Sequence, residues 1–245
     1  MIIDLHNHIL PGVDDGAMSI DDSVEMAALA AQCGVGKIVA TPHYQHGHSA
    51  SPEALEDAFK ALSDVLEYEQ IDISLEKSME IMATDELPEL LQQGKVWTYP
   101  NSSYFLVEFA YDEDQEYFDW LLERCSAAGF TPVIAHPERY HAVRSHPEIA
   151  QQWQQKGYGV QVNRDSLLGL SGEGVFQCAD LLLRKGWANC IASDAHTPQY
   201  RNPHWGKAFQ QFPGMYGFHR LAYCLETVPQ RILENRPLPP MRTPS

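Results

Sequence analysis

Apolar and polar positions along this chain alternate between two periods. Short runs rich in β-branched and other apolar residues fall at 2–5, 37–41, 71–81, 104–109, 131–135, 159–162 and 189–192. Runs of this length, bounded by polar or glycine-containing stretches, predict strands. Between most of them lie helix-length amphipathic segments. In 21–33, Val24, Ala27, Ala28 and Ala31 recur at helical spacing. Ser19 with Asp22 three residues on resembles a capping box, and Gly34 stands where a C-terminal cap belongs. Ser51-Pro52 opens a second helix as an N-cap followed by proline in the first turn. Further helices are expected at 114–128, 146–156, 173–186 and 215–226. Strands alternating with crossover helices predict an α/β fold with a parallel sheet, open or closed into a barrel. No repeat or linker divides 1–235, which predicts one domain, and the proline-rich tail 236–245 is expected to be loose.

What ends each apolar run is more informative than the run itself. The first ends in Asp4-Leu5-His6-Asn7-His8 and the second in Ala40-Thr41-Pro42-His43. The third contains Met79-Glu80-Ile81 and the fourth Val107-Glu108-Phe109. The fifth ends in Ala135-His136-Pro137-Glu138-Arg139, and the last in Ser193-Asp194-Ala195-His196. Only the run at 159–162 ends without a metal-competent side chain. In a parallel α/β barrel the C-terminal strand ends converge on one mouth. Residues i and i+2 share a strand face, so His6 can act with His8, and Asp194 with His196. Glu80 and Glu108 sit among apolar residues, where an unpaired carboxylate is costly to bury. Each of them is expected either to meet a cation or to stand half-exposed at a strand end. His46, His48, His141, His146, His204 and His219 fall in polar loops or helix starts and read as surface residues; the acidic stretch 112–116 reads as a solvated helix start.

Composition narrows the class. With 17 basic against 33 acidic side chains the formal charge is −16, which counts against nucleic acid and against an anionic membrane surface. No apolar run reaches the ~20 residues of a bilayer span, and the N-terminus lacks a basic leader, so a cytoplasmic protein is expected. Imidazole and carboxylate donors without a thiolate suit Zn, Mn or Fe. Cys33, Cys125, Cys178, Cys190 and Cys224 form no CxxC pair. The segment from Cys178 to Arg184 matches a bare C-x5-R, but its leucine-rich, glycine-free interior predicts a helix rather than a phosphate-cradling loop.

The opening His6-Asn7-His8 with Asp14-Asp15-Gly16 resembles that of the polymerase-and-histidinol-phosphatase (PHP) superfamily. More narrowly, Ala40-Thr41-Pro42-His43, Leu106-Val107-Glu108-Phe109, Ala135-His136-Pro137-Glu138-Arg139-Tyr140 and Ala192-Ser193-Asp194-Ala195-His196 resemble the bacterial metal-dependent protein-tyrosine phosphatases encoded with capsule and exopolysaccharide genes. The resemblance implies a distorted seven-stranded (β/α) barrel and a site for three divalent metals, commonly Mn, Fe or Zn. His6, His8, Glu80 and Asp194 then hold the first metal. Glu80 bridges to a second, shared with Glu108 and His136, and Asp15 (or its neighbour Asp14), His43 and His196 hold the third. Arg139 and Arg201 match the phosphate-gripping arginines.

The activity implied is phosphotyrosine-protein phosphatase, by in-line attack of a metal-bridging hydroxide, with a bacterial tyrosine kinase of polysaccharide assembly as substrate. The competing readings are a small-molecule phosphomonoesterase of the histidinol-phosphatase kind and a metal-binding scaffold without activity. Sequence leaves the oligomeric state open.

Overall fold

The computed structural model describes residues 1–45, 47 and 49–239, so His46 and His48 lie outside the described residues. Among the described residues there are nine parallel strands: β1 Ile2–Asn7, β2 Val35–Ala40, β3 His43–Tyr44, β4 Ser74–Lys77, β5 Glu80–Met82, β6 Tyr104–Glu108, β7 Thr131–Ala135, β8 Gly159–Asn163 and β9 Cys190–Ala192. They form two sheets, β1-β2-β4 and β3-β5-β6-β7-β8-β9. The expected third run breaks at Ser78-Met79, so its halves β4 and β5 belong to different sheets, and β2 is interrupted at Thr41-Pro42 before β3. A proline brings no backbone N–H to a ladder, which explains the second break. Hydrogen bonds from Ser78 N to Ala40 O and from Glu80 N to Pro42 O carry the pairing across both interruptions. The last strand meets the first through the Asn7–Ala195 bridge, with His8 N donating to Ala195 O and Asp194 N to His6 O.

Seven tracks therefore follow one another in chain order, and their C-terminal ends carry the polar residues. Inside, Ile3, Leu5, Val39, Tyr104, Leu106, Val133, Ala135 and Cys190 pack with Val228 and Ile232 of the helix Val228–Leu233. Alternation on β6 explains the layout: Tyr104 and Leu106 join this inner cluster, and Glu108, two residues further on the same face, reaches the mouth. In β1 an extra residue between Asp4 and Asn7 bulges the strand against Ile38–Ala40. Leu5 stays in the inner cluster while His6 enters the polar site.

The helices cover the outer faces, with the caps expected at Ser19 and Ser51 in place and Asp114 capping the helix Gln115–Ala127. Two expectations need correction. The first helix, Ile20–Gln32, buries Ser23, Met26, Ala27 and Ala30, so of the expected stripe Ala27 is fully buried and Val24 packs half-buried against the core. The helix expected at 215–226 is broken by Gly217, whose φ of 79° ends Gly206–Tyr216; the chain resumes as Phe218–Ala222, a π-helical turn and Val228–Leu233. In the described part of the tail, Tyr104 Oη–H donates to Arg236 O and Leu238 packs on the inner cluster, so that part is anchored rather than loose.

Candidate metal centre

His6 and His8 point their Nε2 atoms at each other across 3.1 Å. His6 Nδ1 lies 2.9 Å from Gln161 Oε1, and His8 Nδ1 lies 2.8 Å from Asp14 Oδ2. Those oxygens only accept, so each neutral imidazole carries its hydrogen on Nδ1 and presents a lone pair at Nε2. Two converging lone pairs suit a cation, or a proton, between them. Glu80 Oε2 stands 3.1 Å from His6 Nε2, 3.2 Å from His8 Nε2 and 3.1 Å from His43 Nδ1. Glu80 Oε1 lies 2.9 Å from His136 Nε2. Asp194 Oδ1 faces His6 Nε2 at 3.4 Å and His8 Nε2 at 3.6 Å.

Donor atoms fall into overlapping groups within 4.8 Å of one another: His8-Asp15-His43-His196, His6-His8-Asp194, His6-Glu80-His136 and His43-Glu80-Glu108. Every candidate ligand read from the sequence is in at least one group. Glu108, expected beside His136, lies 3.6 Å from His136 Nε2 through Oε1 and 3.6 Å from His43 Nδ1 through Oε2. Glu80 Oε2 and Asp194 Oδ1 are buried, and histidine ring nitrogens are the polar atoms that face them. Buried carboxylate oxygens in that condition are costly, and their position at the centre of the groups fits divalent cations. The all-N,O donor set suits Mn, Fe or Zn.

Asp14 and Asp15 divide the work left open between them. Asp14 is engaged on every side, by His8 Nδ1, by Gly16 N at 2.9 Å and by His43 N at 3.0 Å. Asp15 remains exposed, its Oδ1 facing His43 Nε2 at 3.4 Å and His196 Nε2 at 3.5 Å. His196 Nδ1 donates to Asp194 O, which leaves its Nε2 lone pair for the same point.

The electrostatics follow the crowding. Burial alone pushes Glu80 up, but His6 and hydrogen bonds from His136 and His8 hold it well below the usual carboxylate range. Burial, reinforced by the Glu80 charge, pushes Glu108 up to about 8. Burial opposes charge on His8, yet the Asp14 and Glu80 hydrogen bonds raise it to about 10. Burial and the neighbouring His8 lower His196 to about 3.

On the far side, Asp194 Oδ2 gathers both arginines, Arg201 Nη2 at 2.6 Å and Arg139 Nη1 at 3.3 Å. Arg139 also donates to Tyr111 Oη. Arg201 keeps 38% of its side chain exposed, so it faces outward as well. His136, Asp194 and Arg201 all have positive φ, at 32°, 51° and 49°. Such strain at non-glycine residues persists where the surroundings over-determine it, and functional sites concentrate it.

The sequence profile of the family described as capsular polysaccharide synthesis, CpsB/CapC, matches residues 2–234. The chain belongs to this family. Among its relatives, the tyrosine-protein phosphatase YwqE of Bacillus subtilis (strain 168) is 32% identical over 236 residues, covering 96% of this chain and 92% of that protein. The tyrosine-protein phosphatase CpsB of Streptococcus pneumoniae is 26% identical over 238 residues, covering 95% of this chain and 98% of that protein. A solved structure from the work on YwqE and CpsB as "unique metal-dependent tyrosine phosphatases" superposes with a TM-score of 0.88 at 31% identity, covering 98% of this chain and all of that one. A lactonase from Listeria monocytogenes (TM-score 0.56, 11% identity, covering 98% of this chain and 95% of its own) shares the fold alone.

Other polar residues escaped sequence reasoning. Gln161 and Asn163 come from the one run that ended without a ligand, yet both are buried beside the centre. Their signal was present: polar side chains at i and i+2 alternate with Val160 and Val162 on a strand buried on both faces. Cys178 lies inside the helix Glu173–Lys185, and Arg184 is paired with Asp180, so no thiol-phosphate loop exists there. His141, His146, His204 and His219 are exposed, as expected.

Proposed function

We propose that the protein is a metal-dependent phosphotyrosine-protein phosphatase. The observation that carries this is the placement of two outward-reaching arginines on the same aspartate that closes a His/Glu/Asp cluster. His6, His8, Glu80 and Asp194 hold one divalent ion, Glu80, Glu108 and His136 a second, and Asp15, His43 and His196 a third, with Mn the first choice. When bound, these ions supply Lewis acidity at the phosphoryl oxygens and acidify water toward neutrality. Arg139 and Arg201 orient the phosphoryl group and neutralise its charge, a task that the planar guanidinium performs bidentately. Asp194 keeps both arginines aimed. A tyrosyl phenol, with a pKa of about 10, leaves with less proton assistance than an alkoxide, which favours aryl esters.

A cleft of about 290 Å³ beside Arg201, lined among others by Tyr200, His204 and Lys207, gives room for polypeptide flanking a phosphotyrosine. The names of the relatives fit a phosphotyrosyl protein substrate and that of the family a role in capsular polysaccharide synthesis; the substrate in this reading is a bacterial tyrosine kinase of polysaccharide assembly. No described helix is long and apolar enough to cross a membrane, and a cytoplasmic setting is part of the reading, as is a catalytic domain spanning 1–235. Substrate competition tests the proposal: Mn-loaded protein is given a phosphotyrosyl peptide, its phosphoseryl counterpart and histidinol phosphate. The phosphotyrosyl peptide is expected to turn over fastest. Preferential hydrolysis of histidinol phosphate overturns the protein-substrate reading and favours a metabolite phosphatase.

A further inference from the structure

Asn163 Nδ2 lies 2.6 Å from Asp194 Oδ2, Gln161 Nε2 lies 2.7 Å from Asn163 Oδ1, and Gln161 Oε1 lies 2.9 Å from His6 Nδ1. We propose that Gln161 and Asn163 form a positioning relay that couples Asp194 to His6 and sets which ring nitrogen of His6 faces the centre. The inference rests on the metal reading of the site.

The direction of every link is forced. The Asp194 carboxylate, paired through Oδ2 with Arg201 Nη2 at 2.6 Å and Arg139 Nη1 at 3.3 Å, accepts, so Asn163 turns its NH₂ toward it. The remaining Asn163 oxygen must then accept, which turns the Gln161 NH₂ toward Asn163. That leaves the Gln161 oxygen for His6, whose Nδ1 must carry the hydrogen. His6 Nε2 is thereby a lone pair, and it is the atom that meets His8 Nε2, Glu80 and Asp194. Reversing Gln161 sets two oxygens face to face at Asn163, and reversing Asn163 breaks both of its links, because like groups then meet at hydrogen-bond distance.

Burial removes the escape to water: Gln161, Asn163, Asp194 and His6 are each at most 1% exposed. The strand supplies rigidity. β8 is paired with β7 through Ala135–Gln161 and with β9 through Asn163–Ala192, and Glu138 Oε1 accepts from Asn163 N at 2.9 Å. The relay is therefore tied to the turn that carries His136 and Arg139. Neutral amides deliver this orientation without adding a charge to a centre already holding Glu80, Glu108 and Asp194. Partners of this kind behind a ligating histidine typically change metal affinity about 10–100-fold when removed.

The test compares Mn affinity, by chelator competition, with the melting temperature of the metal-stripped protein in wild type, Gln161→Leu and Gln161→Glu. Gln161→Leu removes the acceptor for His6 and is expected to bind Mn at least about tenfold more weakly. Gln161→Glu keeps an acceptor for His6 but loses the donor to Asn163, so it is expected to bind Mn more weakly than wild type yet more tightly than Gln161→Leu, although its buried charge makes it the less stable of the two when stripped. Affinity and stability thus rank in opposite orders, which a space-filling role for Gln161 does not produce. Unchanged affinity in Gln161→Leu, or affinities that follow the melting temperatures, overturns the relay. A wild type that takes up no Mn overturns the metal reading itself, and the relay with it.

Discussion

The Nε2 atoms of His6 and His8 stand 3.1 Å apart, and each ring has already spent its Nδ1 on an acceptor, Gln161 or Asp14. A pair so arranged suits a shared cation, and protons compete for the position. Burial works against a proton on His8, but Asp14 and Glu80 raise its pKa to about 10, so at neutral pH the ring carries one before a metal arrives. Metal at Nε2 displaces it. Mn uptake is therefore expected to release protons in weakly buffered solution, and apparent affinity is expected to fall about tenfold per pH unit per proton released as pH drops below neutrality. Affinity independent of pH over that range contradicts the arrangement.

Arg201 reaches Asp194 Oδ2 at 2.6 Å and Arg139 reaches the same atom at 3.3 Å. Lysine in either place keeps the charge and loses the fork. Arg139→Lys and Arg201→Lys are each expected to lower kcat/KM on a phosphotyrosyl peptide about 10²-fold, the cost of one misplaced donor at a charged transition state. A change of less than about threefold in both variants removes the arginines from phosphoryl recognition.

Much of this site was legible because strand ends announce themselves. His6, His43, Glu80, Glu108, His136 and Asp194 each punctuate an apolar run, and parallel strands bring those ends together. Asp15 was less legible, since adjacent Asp14 offers the same chemistry; only the fold shows Asp14 spent on His8, Gly16 and His43. Arg201 sits in a loop without periodicity, where its positive φ and its reach to Asp194 depend on contacts distant in sequence. Gln161 and Asn163 went unread because amides in a buried strand carry no charge signal. The break between β4 and β5 was hidden for a related reason: Ser78 and Met79 interrupt pairing without any glycine or proline to mark it.

Asp4 anchors the first strand to the last. Its carboxylate accepts from Ser193 N at 2.9 Å, Ser193 Oγ at 2.5 Å and Asn7 Nδ2 at 3.0 Å, all out of solvent. Asp4→Ala leaves those donors buried without partners and is expected to destabilise the protein by about 3 kcal/mol. Thermal unfolding of the metal-stripped protein checks this, and an unchanged midpoint contradicts it.

Cys178 is kept out of the chemistry by its surroundings. Burial pushes its thiol up to about 12, so at pH near 8 almost none is thiolate, the form that alkylating reagents attack. Iodoacetamide is expected to leave phosphatase activity intact. Loss of activity in step with labelling of Cys178 contradicts the helical placement.

The account turns on hydrolysis carried out at the metal cluster. The most direct test measures phosphate release from a phosphotyrosyl peptide by chelator-stripped protein before and after Mn is restored, in wild type and in Glu80→Gln. Glu80 contacts His6, His8, His43 and His136 at 2.9–3.2 Å, so it joins four of the ligands. The account predicts no release from stripped wild type, recovery with Mn, and no recovery in Glu80→Gln. Turnover that survives stripping, or full recovery in Glu80→Gln, contradicts it.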